Sequence, residues 1–369
     1  MIKPKPSVFI VDGSIGVTGA LVSASRQAVL LKNKVDTVLV LSSFHRVPAE
    51  RTTEFAEVIT LPFVSPRKKI VNVIFYWPAL LLSAVQLRLA MHRRGCERLQ
   101  LNDFYLLHGA VVRLLGFRGR IATFVRINPV RYGAIGRIWL SAARWSSTEM
   151  AAVSRFIQSR LGSRYPTRLI YGQVSFAKLP VLQQDRDSPL FLFVGNYIEG
   201  KGQEHAVAAF NRIALRYRTA HLRFVGGDMG LDKNREFRAR LEKLADDGPA
   251  RDRIGFQGPS NDVAAHYGSA FAAIIFSESE SFSITCLDGS AVGLPVIATR
   301  CGGPEEIIED GKTGFLVPVG DIPAMAERMA WLLDHPVEAA AMGAAGRELV
   351  AERFSAERAI AEFNEMFGL

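Results

Sequence analysis

The sequence is poor in cysteine: Cys96, Cys286 and Cys301 are the only three in 369 residues. No two of them form a C-x-x-C pair, which argues against a disulfide framework and a zinc site and fits a reducing compartment. The N-terminal run MIKPKPSVFIVDG is too short in apolar residues for a signal peptide. We therefore expect a cytoplasmic globular protein, and its length is comfortable for two domains.

Acidic residues are scarce in the first half of the chain. Residues 1–180 hold 26 Lys and Arg against 8 Asp and Glu, a surplus of +18. Residues 181–369 hold 19 against 28, a deficit of −9, and the two halves sum to the net charge of +9. The basic half suggests an anionic partner, namely a membrane surface, nucleic acid or a phosphorylated substrate. The alternative is a solvated surface that attracts the acidic half.

Short β-rich runs alternate with helical segments along the whole chain. This alternation predicts an α/β fold with parallel sheets covered on both faces. The pattern restarts after the polar stretch VLQQDRDSPL at residues 181–190. We therefore predict two Rossmann-like, doubly wound domains, residues 1–180 and 181–350, facing across a cleft. Residues 351–369 form a C-terminal helix that can pack back on the first domain. The predicted strands are at residues 7–13, 36–43, 98–103, 120–128, 150–154, 190–196, 221–227, 253–258, 272–277 and 295–299.

In open parallel sheets, ligands bind beyond the carboxyl ends of the strands, so the loops that follow the strands are the candidate sites. The loop VGNYIEGKGQ at residues 194–203 places Lys201 just before a predicted helix, which is an arrangement suited to a diphosphate. It is not a Walker A loop, because position 202 is glycine. The loop at residues 13–19 has the spacing G-x-x-G-x-x-G and is weak as a nicotinamide site. As a flexible loop facing phosphate or sugar it remains plausible, and Gly16 is a candidate for donor binding.

The stretch SESESFSITCLDGSAVG at residues 277–293 contains three acids, Glu278, Glu280 and Asp288. A helix is predicted to begin near the natural N-cap residues Ser281 and Ser283. Glu280 would precede this helix and Asp288 would lie on it, so the two acids can hold different parts of one elongated ligand. The free N–H groups at the helix start suit phosphate or sugar oxygens.

The segment from about residue 190 to 320 resembles the donor domain of the glycosyltransferase family 4 enzymes, which have the two-domain GT-B fold. Those enzymes carry P-S-x-x-E-G-F-G and a second acid eight positions after the first. Glu280 and Asp288 match the two acids. Three further segments match the family in the same order: FVGNYIEGKG, LRFVGGD and GLPVIATRCGGPEEIIEDGKTGFLVPVGD. The N-terminal half matches the family more loosely.

The resemblance implies a role for each matched residue. Glu280 would contact donor-sugar hydroxyls, Asp288 would hold the ribose, and Lys201 would clamp the diphosphate. The sugar and diphosphate would be lined by Phe282, Ser283 and Ile284. Two positions depart from the family: Asp288 replaces Glu, and Asn196, a donor-binding candidate, stands where many members have an arginine, so one positive charge is lost at the diphosphate. Glu278 is interpreted as a solvated loop residue.

Two residues of the first domain are candidates on the acceptor side, and a third is a catalytic candidate. Asp103 ends a predicted strand, and Arg126 lies near the end of another. His108 has two interpretations: a catalytic histidine facing the cleft, as family members often have, or a hydrogen-bonded core residue.

The segment at residues 66–95 joins a basic cluster, an apolar run with Trp77 and Leu81, and a second basic cluster. Pro78, Gln86 and Arg88 interrupt the run, so a transmembrane helix is not expected. Two interpretations stay open: a buried helix of the first domain, or an interfacial helix on an anionic membrane.

These observations together predict a retaining glycosyltransferase with a UDP- or GDP-sugar donor and no metal cofactor. The acceptor would be a glycan or lipid-linked intermediate, and the protein would be cytoplasmic or peripheral on the inner face of the cell membrane. A hydrolase using Glu280 and Asp288 as its carboxylate pair is one alternative. A non-catalytic basic module is another, but the basic residues lack the interleaved aromatics that nucleic-acid binding uses, so no nucleic-acid partner is expected.

Overall fold

The computed structural model describes residues 5–63, 70–174, 180, 182, 183, 185 and 187–369. The chain divides into two compact units. The first comprises Met1–Gln173 and Ala356–Leu369, and the second comprises Val174–Ser355. The structure thus divides the chain a few residues from the predicted boundaries at 180/181 and 350/351, and it assigns the C-terminal segment to the first unit.

The helices and strands alternate along the described residues. The strands are β1 (Ser7–Asp12), β2 (Asp36–Ser42), β3 (Glu57–Leu61), β4 (Arg98–Leu101), β5 (Arg120–Val125), β6 (Glu149–Ala152), β7 (Arg168–Leu169), β8 (Leu190–Val194), β9 (His221–Val225), β10 (Ile254–Gln257), β11 (Ala272–Ile275), β12 (Val296–Thr299) and β13 (Gly314–Val317). The α-helices are α1 (Gly19–Leu31), α2 (Ile70–Arg93), α3 (His108–Leu114), α4 (Gly133–Ser146), α5 (Arg155–Leu161), α6 (Gln203–Ile213), α7 (Asp232–Asp246), α8 (Val263–Ser269), α9 (Ile284–Val292), α10 (Ile322–Asp334), α11 (Pro336–Arg353) and α12 (Ala356–Phe367).

The first unit is built on a parallel sheet with the strand order β3-β2-β1-β4-β5-β6-β7. The central strand β1 is buried from Val8 to Asp12, as its continuous apolar run predicts for a sheet covered on both faces. The strand order reverses between β1 and β4. The loops after these two strands therefore meet at one edge of the sheet, where ligands bind in folds of this kind.

The second unit repeats this plan with a parallel sheet in the order β10-β9-β8-β11-β12-β13. Its core is rich in phenylalanine, with Phe191 and Phe193 of β8, Phe210 of α6 and Phe224 of β9 all buried. The strand order reverses between β8 and β11. The loop that contains Lys201 and the loop that contains Glu280 follow these two neighbouring strands, so the sheet itself brings them together.

The helix α2 carries the apolar run of residues 66–95. One face is buried through Leu80, Ala84, Leu87 and Met91, while Trp77, Leu81, Leu82 and Leu89 are exposed. The helix is therefore buried on one face, in keeping with the interpretation as a buried helix of the first domain, and its other face leaves the interfacial interpretation open. The basic residues Arg67, Lys68 and Lys69 lie outside the described residues. Among the described helices, none combines the length and apolarity needed to span a bilayer.

The C-terminal helix α12 packs on the first unit, against α1 and β5. Arg168 of β7 joins three carboxylates there: it contacts Glu149 at 2.5 Å, Glu362 at 2.9 Å and Glu365 at 2.8 Å. The hydrogen bond and charge of Arg168 lower the pKa of Glu365. Arg168 thus links β6, β7 and α12 electrostatically.

The Arg168 cluster predicts a pH-dependent docking of α12. Because the folded-state pKa of Glu365 is lowered, its contribution is present above the unfolded-state pKa, about 4.3 for glutamate, and is lost as the pH falls below that value. Hydrogen-exchange protection of residues 356–367, corrected for intrinsic rates, should decline in this acidic window. In Arg168→Gln it should be modestly lower at neutral pH and depend less on pH, because the buried side chains of α12 remain.

The matched control is Arg216→Gln, which removes an ion pair with Asp334 in the second unit. It should leave the protection of residues 356–367 unchanged. Equal protection of α12 in wild type and Arg168→Gln at neutral pH would contradict the role given to this cluster.

Candidate active site

The most clearly defined polar site of the second unit is an ion pair between the loops after β8 and β11. The ammonium of Lys201 lies 2.7 Å from Oε1 of Glu280. The hydroxyl of Ser277 donates a 2.8 Å hydrogen bond to the same oxygen. Burial lowers the pKa of Lys201, but the charge and hydrogen bond of Glu280 outweigh it, so the pKa of Lys201 is raised. The lysine therefore remains a cation at neutral pH, held against a carboxylate that is only 15% exposed.

The backbone around Glu280 is fixed on both sides. Its N–H donates to the carbonyl of Cys301 at 3.2 Å, and its carbonyl accepts from Gly303 N–H at 2.8 Å. A Cβ added to Gly303 would lie 2.4 Å from the backbone of Phe282, so only glycine allows the two backbones to come this close. The loop after β12 therefore holds the Glu280 loop by backbone contact, and the position of the carboxylate does not depend on side-chain packing alone.

The three acids of this stretch have different surroundings. Glu278 is exposed, and its backbone N–H donates to the carbonyl of Gly200 at 2.9 Å. Asp288 lies on α9 and is only 5% exposed. Glu280 and Asp288 thus occupy the two kinds of position predicted for them, a loop before the helix and the helix itself.

The start of α9 has an uncommon backbone. Ser283 is its N-cap with φ of 74°, in the left-handed region that non-glycine residues rarely adopt, and its hydroxyl accepts from Cys286 N–H at 3.4 Å. Ile284 follows and is half-buried. Phe282 is buried, with its ring 5.5 Å from that of Phe354. The ring of Phe282 therefore packs inside the unit, and only its backbone is placed to line a ligand.

The loop that leads into α6 approaches β11 very closely. Gly202, the N-cap of α6, has φ of 79°, and a Cβ there would lie 2.0 Å from the carbonyl oxygen of Phe276. Gln203, in the first turn of α6, is fully buried, and its Oε1 has no hydrogen-bond partner among the described residues. Lys201 thus lies just before the start of α6, where the sequence predicted it, and its role toward a diphosphate stays a prediction.

Asn196 holds two loops together. Its side-chain oxygen accepts from Gly227 N–H at 3.3 Å, and its carbonyl accepts from Gln203 Nε2 at 2.9 Å. This geometry makes Asn196 a structural link between the loops after β8 and β9. Its predicted contact with a donor stays a prediction.

Two thiols lie within electrostatic range of the ion pair. Burial raises the pKa of Cys286 well above its usual value and that of Cys301 to about 12, and the charge of Glu280 adds to both. Both thiols are therefore protonated at neutral pH and act as small apolar groups.

The first unit has its own buried polar cluster at the carboxyl edge of its sheet. Asp12, at the end of β1, accepts from Ser14 N–H at 2.7 Å and from the amide of Asn102. Arg126, after β5, donates from Nε to Asn102 Oδ1 at 2.9 Å and lies 4.6 Å over the ring of Phe124. Strands β1, β4 and β5 thus contribute one connected cluster.

The two acceptor-side candidates belong to this cluster. Asp103 accepts backbone hydrogen bonds from Phe104 at 2.9 Å and Arg126 at 3.2 Å. Burial raises the pKa of Asp103 to about 7 despite these bonds, and the charge of Asp12 adds to the rise. Burial lowers the pKa of Arg126 to about 10. Asp103 therefore titrates near neutral pH, while Arg126 remains charged.

The structure places His108 in the core. It is 3% exposed, its Nε2 lies 3.0 Å from the hydroxyl of Ser83, and its ring meets that of Phe63 edge-on at 4.6 Å. Burial lowers its pKa to about 4, so it is neutral. The interpretation of His108 as a catalytic residue is therefore not supported, and the core interpretation describes it. Gly16 is buried in the loop between β1 and α1, and its predicted role toward the donor stays a prediction.

Sequence reasoning missed Ser277, Asp12 and Asn102. Ser277 lies three residues before Glu280 and directly after the buried run of β11, and Asp12 and Asn102 lie at the ends of two predicted strands. Strand-end position was therefore a usable signal for all three. No group of three His, Cys, Asp or Glu suited to a metal ion occurs within the described part of the chain.

Comparison with known proteins finds a family similarity in the second unit. Residues 176–349 match Glycosyl transferases group 1. A Bacillus anthracis protein named N-acetyl-alpha-D-glucosaminyl L-malate synthase is 30% identical over 178 residues, 48% of this chain and 45% of that protein. A GDP-mannose-dependent alpha-(1-6)-phosphatidylinositol monomannoside mannosyltransferase of Mycolicibacterium smegmatis is 33% identical over 170 residues, 44% of this chain and 43% of that protein. Each match thus spans less than half the length of the relative.

Similarity of structure extends over the whole chain. The crystal structure of Anabaena HepE in complex with UDP-glucose matches with a TM-score of 0.80 at 16% identity, covering 98% of this chain and 99% of that one. With two parallel-sheet units of seven and six strands, this similarity confirms the predicted GT-B fold. The resemblance predicted from the motifs around Glu280 and Asp288 is confirmed where the family match covers them: residues 176–349 are similar to the Glycosyl transferases group 1 family.

Proposed function

We propose that this protein is a retaining glycosyltransferase that moves a sugar from a nucleotide-sugar donor to an acceptor. The observation that carries the proposal is the Lys201–Glu280 ion pair, which lies between two strand-end loops beside the start of α6. A lysine at a helix start suits a diphosphate, and a carboxylate beside it suits sugar hydroxyls. The family match of residues 176–349 supports the same chemistry.

Donor binding would exchange the partners of this pair. A nucleoside diphosphate brings more negative charge than one carboxylate, so the Lys201 ammonium would move from Glu280 to the diphosphate. Glu280 would keep its hydrogen bond from Ser277 and accept from the sugar hydroxyls. The pair thus keeps both groups charged and in position before the donor arrives.

Asp288 would hold the ribose. Its carboxylate is one methylene shorter than the family glutamate, so the contact requires a closer helix or a bridging water. The similar proteins do not decide the nucleotide base of the donor, because one relative is named as GDP-mannose-dependent and a structural neighbour holds UDP-glucose. We therefore propose a UDP- or GDP-sugar as donor.

The leaving diphosphate would be stabilised by Lys201 and the N–H groups at the start of α6, with no metal cofactor. Retention of configuration is carried over from the family resemblance. The hydrolase and binding-module alternatives gain no support, since the matched relatives are named as a synthase and a mannosyltransferase.

The acceptor would bind to the first unit, as a glycan or a lipid-linked intermediate. Arg126 is half-buried and held by Asn102, and among the described residues no carboxylate lies within ion-pair distance of it. A desolvated guanidinium in this state would favour an anionic group on the acceptor, with Asp103 beside it.

The first unit would also contact an anionic membrane through α2. Its exposed Trp77 and Leu81 suit the bilayer interface, and Arg93 and Arg94 follow at its basic end. The protein would then be cytoplasmic and peripheral on the inner face of the membrane, in keeping with its few cysteines.

The first test is Glu280→Gln, assayed by release of nucleoside diphosphate from a panel of UDP- and GDP-sugars. Loss of a hydrogen bond to a charged group costs about 1.5–3 kcal/mol, so kcat/KM should fall roughly 10- to 100-fold. The circular dichroism spectrum should not change. Glu278→Gln, which alters an exposed neighbour, should retain wild-type turnover. Wild-type turnover in Glu280→Gln would refute the assignment.

The second test is Lys201→Met, which keeps the aliphatic stem and removes the charge. Calorimetry should show weaker binding of UDP or GDP, by about 1.5–3 kcal/mol as for a hydrogen bond to a charged group, with little change for uridine or guanosine. The control is Lys312→Met, since Lys312 is an exposed lysine of the same unit. An equal loss for nucleoside and nucleoside diphosphate would reject the diphosphate role.

A further inference from the structure

The helix α4 of the first unit has an exposed apolar stripe that the sequence analysis did not single out. Ile135 is 56% exposed, Ile138 65% and Trp145 61%. With the half-buried Ala142 they follow a spacing of three, four and three residues, which places them along one side of a helix. These four residues are called the α4 stripe below.

The opposite side of α4 fixes the helix to the unit. Gly136, Leu140 and Ala143 are buried. The ring of Trp139 lies 6.3 Å from those of Phe104 and Tyr105, in the aromatic cluster above the sheet. The outward direction of the α4 stripe is therefore set by inward packing, and the helix cannot rotate to bury the stripe without exposing these side chains.

Arginines flank the α4 stripe. Arg137 and Arg144 are exposed and seven residues apart, so they lie on one side of the helix beside the stripe, and Arg131 precedes the helix. Between Phe104 and Thr148 the sequence holds seven arginines and neither Asp nor Glu. A surface of this charge attracts anions and repels the basic half of a second copy.

The two helices next in the row to α4 also expose apolar side chains. Helix α3 contacts both α2 and α4, so the three helices form one row on the sheet. The row also exposes Leu114 at the end of α3, together with Trp77, Leu81, Leu82 and Leu89 of α2. A row of helices with outward aliphatic and tryptophan side chains between arginines is suited to the headgroup and acyl boundary of an anionic bilayer.

We infer that α4 is a second membrane-inserting element, which contacts an anionic lipid surface together with α2. Ile135, Ile138 and Trp145 would enter the interface, and Arg137 and Arg144 would meet lipid phosphates. The inference rests on the proposed membrane contact of α2, but it assigns a separate set of residues. The two can therefore fail independently.

The test is co-sedimentation of the full chain with phosphatidylglycerol-containing and pure phosphatidylcholine vesicles, at low and high salt. Ile135→Ser with Ile138→Ser should weaken partitioning roughly tenfold at both salt concentrations, because removing buried apolar area acts independently of charge screening. Arg137→Gln with Arg144→Gln should weaken binding to the anionic vesicles at low salt only. Leu215→Ser with Val337→Ser removes two exposed aliphatic side chains from the second unit and should bind as wild type does.

A parallel pair, Trp77→Ser with Leu81→Ser, separates the two proposals. If this pair loses binding and the α4 serine pair does not, the inference about α4 is wrong and the contact through α2 stands. If neither pair loses binding, both are wrong. If sedimentation shows that wild type self-associates, and the α4 serine pair is monomeric with unchanged vesicle binding, the stripe is a contact between copies and the inference is overturned. The circular dichroism spectrum and thermal unfolding of each variant serve as the check that both units are folded.

Discussion

The ion pair between Lys201 and Glu280 is the interaction on which the account of the second unit depends. A lysine and a glutamate this close, and largely shielded from water, hold each other charged and oriented. The two groups come from different loops, so the pair exists only because β8 and β11 are neighbours at the point where the strand order reverses. The sheet therefore brings the two groups of the site together, and the ion pair adds to the backbone hydrogen bond from Glu278 N–H to the Gly200 carbonyl that already joins the two loops.

The two units apply one plan to different chemistry. Each collects polar side chains at the carboxyl edge of a parallel sheet, beside the reversal in strand order. In the second unit the result is one lysine and one carboxylate near a helix start. In the first it is two buried acids and an arginine, with Asp103 titrating near pH 7 because burial raises its pKa. The chain thus has one polar cluster that we propose for the donor and another that we propose for the acceptor.

Much of the fold was predictable from the sequence, because buried parallel strands are continuous apolar runs. Three strands were missed for physical reasons. β3 has a largely solvent-facing surface, β7 has two residues, and β13 begins at a glycine.

The positions of Glu280 and Asp288 were predictable because the family motif and the end of a predicted strand indicated the same stretch. The burial of His108 could not be predicted from the sequence, because a histidine among apolar residues has the same pattern whether it faces a cleft or a core. Its contacts with Ser83 and Phe63 show that it lies in the core. The α4 stripe was likewise not predictable, because apolar residues along one side of a helix are normally expected to be buried, whereas these are exposed.

The central claim is that the Lys201–Glu280 pair opens when a donor binds. The most direct measurement is a crystal structure of the protein with a bound UDP- or GDP-sugar. The account predicts that the Lys201 ammonium contacts a diphosphate oxygen, that Glu280 keeps Ser277 and accepts from sugar hydroxyls, and that Asp288 faces the ribose. A donor bound with the Lys201–Glu280 pair intact and its diphosphate held elsewhere would contradict the account.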